Sequence, residues 1–87
     1  MEVTLSTLAE RQLRKLPWNI KEALLAWIWI VEIDGLEKIR AIRGYRDEAL
    51  KGNRKGQRSS RLNRAYRVIY TENGIILEIL EVNKHEY

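Results

Sequence analysis

Four side chains in this sequence have the types needed for proton transfer at a phosphate: Glu48, Arg67, His85 and Tyr87. His85 is the one histidine of the chain, and an unperturbed imidazole titrates close to neutrality. It lies in the run Asn83-Lys84-His85-Glu86-Tyr87, and if a terminal strand continues that far, alternation places Asn83, His85 and Tyr87 on one face. A lone histidine near a chain end is usually just an exposed residue. Arg67 falls inside the alternating stretch Tyr66-Arg67-Val68-Ile69-Tyr70, where a strand would hold its guanidinium ready for a phosphate or for a salt bridge. Arg61 stands next to it by the same reasoning. Glu48 is surrounded by cations, which favours an ionised carboxylate able to accept a proton; it serves equally as a counter-ion to Arg46 or Lys51. Together these groups suit metal-free cleavage of RNA, which needs a base for the 2′-hydroxyl, an acid for the leaving 5′-oxygen and cations around the phosphorane.

The charge pattern agrees with a polyanionic substrate. From Lys38 to Arg67 the chain carries eleven basic and two acidic residues, +9 in thirty residues, while the other fifty-seven sum to −5, giving the overall +4. So concentrated a field on a small domain fits nucleic acid better than a membrane, because the stretch is not an amphipathic apolar helix. Its arginine bias also suits phosphate forks better than solubility alone.

Length and composition restrict the alternatives. Eighty-seven residues make one domain, residues 1–87, with any site a surface groove rather than an enclosed pocket. With no cysteine and a single histidine, neither a disulfide framework nor a zinc site is expected, and no metal or other cofactor is assigned. The start Met1-Glu2-Val3-Thr4 lacks a signal-peptide pattern and no apolar run is long enough to span a bilayer, so a cytoplasmic protein without a membrane partner is expected.

The elements that must position these residues follow from periodicity. Val3-Thr4-Leu5 is a β-prone start; Ser6 or Thr7 caps a helix that ends before Pro17, and a second helix runs from Pro17 or Trp18 to Asp34-Gly35. The second helix contains nine consecutive apolar residues, Ala23 to Val31, too many for one buried face, which points to a partner surface. Leu36 to Gln57 reads as a charged loop with at most one short strand or turn. From Arg58 the period becomes two, and Asn73-Gly74 marks a hairpin leading into a strand over Ile75 to Val82. The order is strand, helix, helix, loop and three strands: an α+β fold, two N-terminal helices packed on a small antiparallel β-sheet.

The run Glu48-Ala49-Leu50-Lys51-Gly52, the stretch GQRSSRLNRAYRVIY from Gly56 to Tyr70, and the ending His85-Glu86-Tyr87 resemble the RelE superfamily of bacterial toxins, with site chemistry similar to its YoeB-like branch. The resemblance implies a RelE-like, microbial-ribonuclease-like fold and the toxin of a type II toxin–antitoxin pair. The implied activity is a metal-independent endoribonuclease, an mRNA interferase, that cuts messenger RNA in the ribosomal A site. Carried over by position, it makes Glu48 the general base, Arg67 the transition-state cation and His85 the general acid, with Tyr87 orienting or stacking on substrate. Lys51, Arg54, Lys55, Arg58 and Arg61 would bind phosphates. The implied partners are mRNA, the ribosome and a cognate antitoxin in a toxin–antitoxin hetero-oligomer. Two positions depart from the pattern: Glu86 separates His85 from Tyr87, and Ser60 replaces an apolar strand residue, predicting looser packing there. A ParE-like gyrase inhibitor shares the fold without needing an acid–base pair, and a non-catalytic RNA- or ribosome-binding module would use only the basic loop.

Overall fold

The computed structural model describes residues 1–84. β1 (Glu2–Leu5) leads into α1 (Thr7–Lys15) and α2 (Trp18–Asp34), followed by a short α3 (Leu36–Ala41). A two-residue strand β2 (Glu48–Ala49) sits between two single 3₁₀ turns, Arg43–Tyr45 and Gly52–Arg54, and the chain finishes with β3 (Arg58–Arg61), β4 (Tyr66–Glu72) and β5 (Ile76–Lys84). The strands form one sheet in the order β1-β5-β4-β3-β2. The expected α+β fold is therefore present, with two differences from the sequence reading.

The first is α3, in a segment read as loop. Leu36 and Ile39, three residues apart, are both buried, and Gly35 at φ 86° closes α2 while starting the new helix. Only glycine takes that angle without steric cost, which allows two helices to meet at one residue. The second is β1, which pairs parallel with β5 while every other pairing is antiparallel. Parallel neighbours need a long crossover, and here almost the whole chain intervenes, so local patterning could not show the pairing.

On α2 the apolar residues divide between core and surface. Ile20, Leu24, Trp27 and Val31 are buried in the core, while Trp18, Leu25, Trp29 and Ile33 are 59–71% exposed. The apolar surplus on this helix is thus an uncovered stripe rather than a second buried face. Among the described residues no helix is long and apolar enough to cross a membrane.

The core lies between the helices and one face of the sheet, where Trp27 meets Tyr70 at a ring-centroid distance of 5.2 Å and a 57° tilt. Tilted rings place an edge against a face, which adds to area burial. Where β1 ends, α1 takes over the edge of β5. Ser6 Oγ caps α1 by accepting from Ala9 N at 3.0 Å and donates to the Leu80 carbonyl at 2.6 Å, while Gln12 Oε1 accepts from Val82 N at 2.7 Å. These bonds satisfy backbone groups that no strand reaches and hold the last part of β5 in place.

The hairpins behave as their residues dictate. Asn63 Oδ1 accepts from Ala65 N and Tyr66 N between β3 and β4, and Asn73 Oδ1 accepts from Ile75 N and Ile76 N between β4 and β5. Both are side chains mimicking a backbone turn.

Candidate active site

Paired residues on neighbouring strands point to the same side of a sheet, so the register sorts the candidates into faces. The helix side takes Ser60 and Val68, which are partners, and the pair Arg58 and Tyr70. The open side takes Glu48 with Ser59, Ser59 with Ile69, and Ile69 with Glu81. One step along, Arg61 pairs with Arg67 and Arg67 with Asn83. Glu48, Arg61 and Arg67 therefore share one face in two adjacent cross-strand rows. Two strand spacings put about 10 Å laterally between Glu48 and Arg67, a gap that long side chains can narrow around a phosphate.

Arg61 and Arg67 are like charges placed directly opposite each other on neighbouring strands, a pairing that is unfavourable by itself. Arg67 is also left with an unpaired Nε, buried and without a hydrogen-bond partner among the described residues, and the same holds for Oδ1 of its cross-strand neighbour Asn83. Buried polar atoms without partners are rare and costly. They occur here side by side on the face that carries the candidate residues.

The basic residues of the 50–61 stretch separate into two groups. Lys51 and Lys55 are exposed. Arg54 reaches across the sheet to Glu81, with Nη2 at 3.1 Å from both carboxylate oxygens, and its Nη1 donates to Gln57 Oε1 at 3.0 Å. Asn83 Nδ2 donates to the same Glu81 at 2.5 Å. This network straps the 50–57 loop over the open face, and Ile69, the strand partner of Glu81, is fully buried there. Arg58 is turned to the other face, where its Nε donates to Asp47 Oδ1 at 2.7 Å.

Asp47 is the residue that sequence reasoning passed over. Its side chain has no solvent exposure, and besides Arg58 it receives hydrogen bonds at 2.5 Å from Ser60 Oγ and Tyr70 OH, both on Oδ2, with Arg40 Nε 3.9 Å from Oδ1. Ser60, expected to loosen the packing, is instead fully buried and fully engaged. The signal was parity: Glu48 faces out, so Asp47 must face in, opposite positions 58 and 60.

Burial and the adjacent Asp47 carboxylate raise the Tyr70 phenol well above its ordinary value. Burial disfavours the phenolate, and the carboxylate opposes a second negative charge beside it. A raised folded-state value means the folded chain holds this proton more tightly than the unfolded one. The contribution is complete below the ordinary tyrosine value of about 10 and is lost as the pH climbs from there toward the folded value. Tyr70→Phe should accordingly show a shallower fall in Tm than the unsubstituted protein when melting is followed upward from pH 10. An identical fall in both would contradict this account of Tyr70.

His85 and Tyr87 lie outside the described residues. Of the other sequence candidates, Glu48, Arg61 and Arg67 come together on the open face with Arg54 strapped above it, whereas Arg58 is across the sheet.

No family model and no curated protein matches the sequence. Solved structures do match. A YoeB/ParE toxin from Agrobacterium tumefaciens superposes with TM-score 0.75 at 18% identity, covering 99% of this chain and 100% of that one. The fold is that of the RelE/ParE toxins. YoeB from Staphylococcus aureus, solved as a dimer, gives TM-score 0.75 at 21% identity over 100% of this chain and 98% of its own. The archaeal RelE of a RelE–RelB complex from Pyrococcus horikoshii gives 0.73 at 23% identity over 95% and 92%. Full-length coverage in both directions means that this toxin fold is matched across all its layers, helices and sheet alike.

Proposed function

We propose that the protein is the toxin of a type II toxin–antitoxin pair and a metal-independent endoribonuclease that cuts messenger RNA at the ribosomal A site in the cytoplasm. The observation that carries this reading is the placement of a carboxylate, Glu48, and two directly opposed arginines, Arg61 and Arg67, on the one sheet face not covered by helices. The Glu48 carboxylate takes the proton of a ribose 2′-hydroxyl, whose oxygen attacks the adjacent phosphorus. Arg67 and Arg61 hold the doubly charged phosphorane, and the bond to the 5′-oxygen breaks to leave a 2′,3′-cyclic phosphate. The leaving oxygen takes its proton from His85 and Tyr87 stacks on or orients a base; these two roles rest on sequence. Lys51 and Lys55 supply exposed charge to the RNA backbone. The solved relatives include a YoeB–YefM complex and RelE–RelB complexes, which supports an antitoxin as the controlling partner of this chain too.

The test is primer extension on a defined messenger RNA, with and without 70S ribosomes, in EDTA when ribosomes are absent. Cuts at fixed positions, lost in His85→Ala, are the expected result, and dependence on ribosomes separates A-site action from free ribonuclease activity. Absence of cleavage under both conditions would overturn the nuclease reading in favour of gyrase inhibition or passive RNA binding.

A further inference from the structure

Beside the proposed catalytic face lies a cleft of about 460 Å³ lined by Gly44, Arg46, Arg61, Asn63 and Arg64. Three of the five described residues lining it are arginines, and its volume falls in the range of small-molecule sites. We propose that this cleft is a phosphate subsite for single-stranded RNA, holding a backbone phosphate next to the scissile one. The proposal rests on the reading of the open face as an RNA site and adds Arg46 and Arg64 to it.

Arg61 links the two places. It lines the cleft and is also the cross-strand partner of Arg67. The pairing of β2 with β3 stops at Glu48 with Ser59, and Arg46, two residues earlier at the end of the 3₁₀ turn Arg43–Tyr45, lines the cleft from outside the ladder. Arg46 and Arg61 thus share the cleft, and Arg61 is paired with Arg67 on the neighbouring strand. Several arginines around one cleft suit a polyanion. Asn63 fits the same role. Its carbonyl oxygen is engaged by the turn through Ala65 N and Tyr66 N, so the group it can offer a ligand is the amide donor.

The backbone at Arg46 gives a second, independent observation. Arg46 has φ 43° and ψ 48°, the left-handed conformation, and it is the one non-glycine residue with positive φ among those described. At Gly35, Gly52, Gly56 and Gly74 the chain meets the same demand with glycine. An L-residue in this region costs roughly 1–2 kcal/mol, so an arginine here runs against the local backbone preference. The strained position delivers a cation to the cleft.

That strain supplies the variant needed for a clean test. Arg46→Gly removes the charge while suiting the backbone, so it should leave Tm unchanged or raised. Binding is measured by fluorescence anisotropy with a labelled 2′-O-methyl RNA 12-mer, which cannot undergo 2′-oxygen attack, over a series of salt concentrations. Each phosphate contact to a single strand contributes about 0.7 to the slope of log K against log salt. Arg46→Gly and Arg64→Ala should each reduce the slope by about 0.7 and the double variant by about 1.4, whereas Arg14→Ala, on α1, should leave it unchanged. Unchanged slopes in the cleft variants, or an equal reduction in Arg14→Ala, would overturn the subsite and leave the RNA reading in place. Wild-type protein that does not bind the RNA at all would overturn both. A slope change in protein that cleaves nothing would retain the subsite and remove only the catalytic assignment.

Discussion

Asp47→Ala is expected to destabilise the protein by about 3–5 kcal/mol, the range for removing one partner of a buried ion pair. The carboxylate is completely buried and receives Arg58 Nε, Ser60 Oγ and Tyr70 OH. Its removal strands two buried hydroxyls and a guanidinium that is only 27% exposed, each of which loses a partner without regaining full hydration. A domain of this size has a total stability of roughly 5–15 kcal/mol, so the loss is a large share of it. With about 4–8 °C of Tm per kcal/mol at this chain length, Tm should fall by at least about 12 °C. Asp47→Asn, which keeps the shape and loses the charge, should fall between the two. Urea denaturation of the three proteins measures this directly, and an Asp47→Ala midpoint equivalent to a loss below about 1 kcal/mol would refute the account.

The same substitution bears on the site. β2 is two residues long and pairs only through Glu48↔Ser59 and Ala49↔Arg58. Asp47 extends that hold by clamping the residue before Glu48 to Arg58 and Ser60. The inward side chain thus fixes where the outward one points, so Asp47→Ala should lose cleavage even at temperatures where it remains folded.

Periodicity made some of this legible in advance. The alternation of Tyr66, Val68 and Tyr70 against Arg67 located β4 and its open face, because strand geometry requires it. The same rule did not foresee that Ile69, on the Arg67 side, is fully buried, since the cause is a long-range strap from Arg54 to Glu81. Arg54 and Arg58 looked alike as phosphate-binding cations, and only the bonds of Arg54 to Glu81 and the pairing of Arg58 with Tyr70 separate them, one to each face. The helix α3 was hidden because six residues carry too few apolar positions to establish a period. Glycine, which punctuates loops, served here as a helix junction. Arg46 carried no signal at all, because a left-handed arginine is indistinguishable in sequence from any other.

Arg67→Ala should separate activity from stability most sharply. In the folded chain the Arg67 guanidinium faces Arg61 across the ladder and leaves its Nε buried without a partner. Both features weigh against the folded state, so truncation should leave Tm unchanged or raise it. The phosphorane, by contrast, carries a second negative charge that the ground-state phosphate lacks, and a fixed cation in a partly dehydrated groove acts mainly on that difference. Removing such a donor typically lowers the chemical step by about 10²–10³-fold. Arg67→Lys should recover little, because an ammonium on a flexible stem cannot reproduce a two-pronged contact with phosphate oxygens. Glu48→Gln offers a parallel case: its side chain lies on an exposed residue, so stability should hold while loss of the base slows cleavage by about 10²–10⁴-fold. Single-turnover cleavage and thermal melting on the same preparations decide the matter. If Arg67→Ala melts well below the parent while cutting at the parental rate, the arginine is a structural element and the open face is not where phosphate is transferred.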